Sequence, residues 1–126
     1  MAEIKTTNYV DQAEKIISNL RDEKGKIKLT TSKIRNILSM VSELYNDAQR
    51  FREKELSDEM ASRVQYLKMR VAYEAGRDGT VRKFVTKANL LEEIGKFGRD
   101  KDRLIVFCHY MEALVAYHRY YGGREN

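Results

Sequence analysis

Apolar residues recur at helical spacing along almost the whole chain. Tyr9, Ala13, Ile16, Ile17 and Leu20 predict a short amphipathic first helix, and the charged run Asp22-Glu23-Lys24-Gly25-Lys26 reads as the turn that follows. Thr30 and Thr31 offer hydroxyls able to cap a second helix beginning near Thr31 or Ser32. Its stripe of Ile34, Ile37, Leu38, Val41, Leu44, Tyr45, Ala48 and Phe51 is long enough to cross a small domain, so it is expected to be the central helix. Ser57-Asp58-Glu59 looks like a capped, acidic first turn, which predicts a third helix running to about Ala75. Gly76-Arg77-Asp78-Gly79 reads as the clearest loop in the chain, with Thr80 as the cap of helix four. Val81, Phe84, Val85 and Ala88 give that helix an apolar side, and Asn89 restarts the chain for Leu90, Leu91, Ile94 and Phe97. The last helix is expected from about Asp100 to Tyr121, with Leu104, Cys108, Met111, Val115 and His118 on its core face and Gly122-Gly123 as its stop.

Composition sharpens this to an all-α fold, a compact bundle of five to six helices in one domain spanning residues 1–126. Proline, the commonest helix breaker, is absent, and 34% of residues are charged, which suits long solvated helix faces. A chain of this length buries enough surface for one core without metal or disulfide support. The lone Cys108 has no internal partner, and the MAEIKTTNYVDQ start lacks the apolar run of a secretion signal. Both point to the reducing cytoplasm. With no long uncharged apolar window, no membrane partner is expected.

The net charge of +5 is localised. Residues 61–88 hold seven cations, Arg63, Lys68, Arg70, Arg77, Arg82, Lys83 and Lys87, against Glu74 and Asp78, while the remainder of the chain is balanced. A concentrated excess of this kind is the footprint of a polyanion binder. Within it, Arg63, Tyr66, Arg70, Tyr73 and Arg77 recur at steps of three and four and share a helical sector about 80° wide. The core side, Met60, Val64, Leu67 and Val71, is centred about 110° away. Guanidinium groups fork onto phosphates and tyrosine rings stack on bases, so the stripe suits a nucleic-acid backbone. The structural alternative is that the arginine stems simply cover half-buried tyrosines.

Lys33 and Arg35 occupy the first turn of helix two, where the helix dipole would ordinarily favour acidic residues. With the Thr31 and Ser32 hydroxyls they suggest a phosphate site; two solvated charges at a frayed helix start is the other reading. Metal or nucleophile chemistry is not expected of the last helix. His109 and His118 lie on opposite sides of it, and Cys108 falls on the core stripe. The tyrosine-rich remainder, Tyr110, Tyr117 and Tyr121, implies a helix that is central or covered by a partner. No phosphate-loop, HExxH, EF-hand or nucleophile-elbow motif occurs, so no catalytic residue, cofactor or metal is assigned.

Three blocks carry a family resemblance: Leu29-Thr30-Thr31-Ser32-Lys33-Ile34-Arg35, Tyr66-Leu67-Lys68-Met69-Arg70-Val71-Ala72-Tyr73-Glu74-Ala75-Gly76-Arg77, and Tyr110-Met111-Glu112-Ala113-Leu114-Val115-Ala116-Tyr117-His118-Arg119-Tyr120-Tyr121-Gly122-Gly123. In this order and spacing the chain resembles the Csm-type small subunit of type III-A CRISPR effector complexes. The match runs from Tyr9 to Gly123 and is weakest over Ser42 to Ser62. The resemblance implies a non-catalytic helical subunit that holds guide RNA and target RNA by their backbones, stacks with copies of itself and contacts other subunits. It marks Lys33, Arg35, Lys68, Arg70, Arg77 and Arg119 as RNA-binding candidates, while Arg63 rests on charge and spacing alone. Two rivals remain. One is an architectural protein-interaction module without RNA contact. The other is a small helical enzyme, for which Arg63, Arg70 and Arg77 should converge inside a deep pocket.

Overall fold

The computed structural model describes residues 3–123, and their elements follow from local chemistry. Helix α1 spans Tyr9–Ser18 and buries Ala13 and Ile17. The turn after it closes on Asp22, whose carboxylate accepts the backbone N–H groups of Lys24 and Lys26, both at 2.9 Å, while Gly25 takes the left-handed φ of +77°. An extended stretch then buries Ile27 and Leu29.

Helix α2 spans Thr31–Ala48, with the Thr30 hydroxyl accepting from the Lys33 N–H. Helix α3 spans Asp58–Arg77, capped by Ser57 on the Met60 N–H at 3.2 Å and acidic in its first turn, as the sequence implied. Helices α4 (Gly79–Lys87) and α5 (Leu90–Gly95) are short, and Asn89 between them turns the chain with a left-handed φ of 59°. Helix α6 spans Lys101–Tyr120 and starts on the Asp100 carboxylate. It stops in a Schellman turn. Gly122 takes φ +85°, Gly123 N–H bonds the His118 carbonyl at 2.7 Å, and Gly122 N–H bonds the Arg119 carbonyl at 3.1 Å. The described residues contain no β-strand, only an isolated bridge between Glu55 and Asp100.

One buried cluster runs through all six helices, and α6 organises it. Helix α6 packs most extensively against α1 and α2, with α5 also touching it. On the far side, α3 joins α2 to the α4–α5 pair. The central helix is therefore α6 rather than α2, because Leu104, Phe107, Cys108, Tyr110, Met111, Leu114 and His118 bury much more of its circumference than a single stripe. Two polar groups inside this core are matched to backbone carbonyls. Tyr110 hydroxyl donates to Ala88 at 3.0 Å, and His118 Nε2 donates to Leu29 at 2.7 Å.

Three local expectations change. Helix α3 continues through Gly76 to Arg77, so the Gly76–Gly79 loop shrinks to the single residue Asp78. Its extended backbone (φ −145°, ψ 118°) breaks the helix, and its carboxylate caps α4 by accepting from Thr80 and Val81 N–H at 2.9 and 3.4 Å. The better acceptor wins the cap; Thr80 instead donates its hydroxyl to Asp78 at 2.7 Å. Finally, α2 ends at Ala48 and leaves Phe51 outside its stripe and 48% exposed.

Candidate nucleic-acid interface

Helices α2 and α3 run antiparallel, tied at both ends by ion pairs. Arg63 Nη1 meets Asp47 Oδ2 at 2.6 Å at one end, and Lys33 meets Asp78 at the other. Between these ties lies an open groove of about 290 Å³, with Met40, Glu43 and Leu44 on the α2 side facing Arg63, Tyr66 and Arg70 on α3. Met60, Val64, Leu67 and Val71 are buried, whereas Tyr66 and Tyr73 are 58% and 60% exposed. Arg77 follows at the end of the stripe, its guanidinium 5.8 Å from the centre of the Tyr73 ring. Arg63 and Arg70 line the shared open groove, and Arg77 is not among the residues that line it.

The stripe is less positive than its cations suggest, because carboxylates accompany them. Glu74 lies 3.6 Å from Arg70 and 3.7 Å from Arg77, so Arg63, Arg70, Arg77 and Lys33 share Asp47, Glu74 and Asp78. The Lys33 ammonium, followed by the Thr80 hydroxyl, holds the Asp78 carboxyl well below its ordinary 3.8. Such partly exposed pairs contribute only ~0.2–1 kcal/mol each, whereas a phosphate accepts stronger, charge-assisted, bidentate bonds from the same guanidinium. The carboxylates therefore orient the arginines without closing them to an anion.

Of the other candidates, Lys33 meets this surface through its ion pair with Asp78, and the rest do not join it. Lys68 lies on the opposite flank of α3, in a second groove with Asp58 and Arg99, its Nζ beside Gly95 at the end of α5. A lysine at a helix C-terminus also complements the dipole there. Lys33 and Arg35 point about 200° apart around α2, and Arg35 is exposed. Thr31 is buried, so its hydroxyl is withdrawn from the phosphate site imagined at this helix start. Arg119 is exposed in the last turn of α6.

Cys108 and the histidines take structural positions. Cys108 is buried, which raises its thiol to about 11, with Glu112 adding to the effect. His109 packs near the Tyr9 and Tyr45 rings and bonds Glu112 at 3.0 Å. Among the described residues no cluster of three His, Cys, Asp or Glu could hold a metal, and no helix is long and apolar enough to cross a membrane.

The model of the family described as Csm2 Type III-A matches residues 3–124. The chain belongs to that family. Among curated relatives, a Streptococcus thermophilus protein called CRISPR system Cms protein Csm2 is 44% identical over 126 residues, covering 99% of this chain and all of that one. Proteins of the same name from Mycobacterium tuberculosis and Enterococcus italicus are 41% and 31% identical, covering 90% and 96% of each chain respectively. Family membership thus confirms the resemblance carried by the three sequence blocks.

Sequence reasoning missed the companions of the stripe. Glu74 was legible, since it stands four residues after Arg70 and three before Arg77. Asp47 with Arg63, Asp78 with Lys33, and Glu43 within the groove depend on how α2 and α3 are paired, for which the sequence holds no local signal.

Proposed function

We propose that this Csm2-family chain is a one-domain, non-catalytic small subunit of a type III-A CRISPR ribonucleoprotein in the cytoplasm. In this reading it binds guide RNA and target RNA by their backbones without reading sequence, stacks with copies of itself and leaves cleavage to other subunits. The observation that carries the RNA contact is the α3 stripe, where Arg70 and Arg77 alternate with the open rings of Tyr66 and Tyr73 along the most basic segment of the chain. From Arg63 to Arg77 the stripe extends about 21 Å, enough to follow several nucleotides. The single core through all six helices supports one domain, and the buried free thiol of Cys108 suits a reducing compartment.

The test is RNA retention by the reconstituted complex carrying Arg70→Gln/Arg77→Gln. Retention should fall while the complex still assembles. Unchanged retention would contradict the role given to the stripe.

A second reading, an architectural subunit without RNA contact, draws on the far end of α6. There Tyr120 is 75% exposed and stacks edge-on with Tyr121 at 5.1 Å, and the Arg21 guanidinium sits 4.8 Å over the Tyr121 ring. Under that reading Tyr120→Ala would disrupt assembly and the arginine variant would change nothing.

A further inference from the structure

The start of α2 and the ends of α1, α3 and α6 come together at one pole of the bundle, joined by the Lys33–Asp78 ion pair and by His118 Nε2 on the Leu29 carbonyl. The α3 stripe ends there with Arg77. An open cleft of about 250 Å³ follows, between residues 20–29 and the start of α4. Gly79 and Thr80, the two residues after Asp78, line it, so the cleft adjoins the end of the stripe. Each side lends it one exposed lysine, Lys28 from the loop and Lys83 from α4. The same loop sets Arg21, Lys24, Lys26 and Lys28 against Asp22 and Glu23, an excess that counting residues 1–29 together conceals behind Glu3, Asp11 and Glu14. The fold brings this loop beside the most basic segment of the chain. Two carboxylates of the pole serve its backbone: Asp22 accepts the Lys24 and Lys26 N–H groups, both at 2.9 Å, and Asp78 accepts the Thr80 N–H and hydroxyl at 2.9 and 2.7 Å.

We propose that this pole is a second phosphate contact, over which an RNA strand continues after it leaves the stripe at Arg77. Its next phosphates pass between Lys28 and Lys83. An ammonium is a compact point charge that meets a phosphate from many directions, so the contact carries no preference for sequence. Two exposed lysines hold a free anion weakly. A strand already seated on the adjoining stripe presents its phosphates to them at an effective concentration in the ~mM range, and the weak contact then adds to the whole. The inference rests on the RNA-binding reading above and extends it to residues outside α3.

The experiment measures binding of dye-labelled single-stranded RNAs of ~4 and ~12 nucleotides to the full chain across a salt series. Lys28→Gln/Lys83→Gln is compared with Lys5→Gln/Lys54→Gln, which removes the same charge from exposed positions at the opposite end of the bundle. For the longer strand the first variant should make the logarithmic salt slope shallower by about 1.4, at ~0.7 per lost phosphate contact, and the second should leave it unchanged. The loss should be much smaller for the short strand, which the stripe alone can hold. Acetylation of the unaltered protein gives a second readout: the longer strand should shield Lys28 and Lys83 from the reagent and leave Lys5 and Lys54 reactive. Equal effects of the two variants, or lysines at the pole that stay reactive in the RNA-bound protein, overturn the inference while the stripe's role stands on Arg70→Gln/Arg77→Gln. Shielding in the assembled complex that survives ribonuclease digestion gives the pole to a protein neighbour and also overturns it. If no RNA binds at any salt, both readings fail.

Discussion

Asp78 joins three helices, and its replacement separates two contributions that the structure superimposes. Its carboxylate caps α4 through the Thr80 and Val81 N–H groups and also pairs with Lys33 at the start of α2. Asparagine keeps a capping oxygen and loses the charge; alanine loses both. Loss of a cap costs about 1 kcal/mol, and a partly exposed ion pair ~0.2–1 kcal/mol. Asp78→Asn should therefore destabilise by under about 1 kcal/mol and Asp78→Ala by about 1–3 kcal/mol. For a domain of this size each kcal/mol lowers Tm by about 3–5 °C, so thermal melts followed by circular dichroism resolve the two. The pH dependence follows from the depressed carboxyl. Its stabilisation is complete above the ordinary value of 3.8 and is lost as pH falls from there toward the folded state's lower pKa. The gap between wild type and Asp78→Asn should be constant above about pH 5 and shrink below it. Equal costs for the two variants, or a gap unaffected by acid, would refute the assignment of cap and ion pair to one side chain.

Gly123→Ala should destabilise by about 1–3 kcal/mol, because a Cβ there would land inside the buried His118 imidazole, whereas Gly76→Ala on the open side of α3 should stabilise by ~0.4–1 kcal/mol; denaturant melts decide the signs. Tyr110→Phe leaves the Ala88 carbonyl unpaired in the core and should cost about 1–3 kcal/mol with native secondary structure retained, as measured by urea unfolding. Cys108 should react with a thiol reagent only as fast as the protein opens, since burial both hides the thiol and raises it to about 11; rapid labelling of folded protein would contradict its place in the core.

Much of the architecture was legible because this chain states its helices redundantly. Ser57-Asp58-Glu59 and Gly122-Gly123 mark a start and a stop by caps that act through their immediate neighbours, and both appear where the residues imply. The Gly76–Gly79 stretch misled for a related reason. Glycine tolerates a turn without requiring one, while the Asp78 carboxylate captures N–H groups and so determines where the chain breaks. Which helix is central was not legible from a stripe's length, because α6 buries residues around most of its surface.

At the candidate interface, the alternation of Arg63, Tyr66, Arg70, Tyr73 and Arg77 was readable because all five lie on one helix. What surrounds them was not. Neutralisation by Asp47 and Asp78, separation of Lys68 onto the α5 side, and entry of Glu43 into the groove are products of tertiary pairing. Counting cations in sequence thus overstated the local field, because it left out the carboxylates that pairing of α2 with α3 brings beside them.

The most direct measurement of the central claim is the affinity of the full chain for two unrelated single-stranded RNAs across about 50–200 mM salt, repeated with Arg70→Gln/Arg77→Gln. The account predicts equal affinities for the two sequences, a steep fall with salt, and a logarithmic slope shallower by about 1.4 in the variant, at ~0.7 per lost phosphate contact. Sequence-dependent affinity, or a slope that the double variant leaves unchanged, would contradict it.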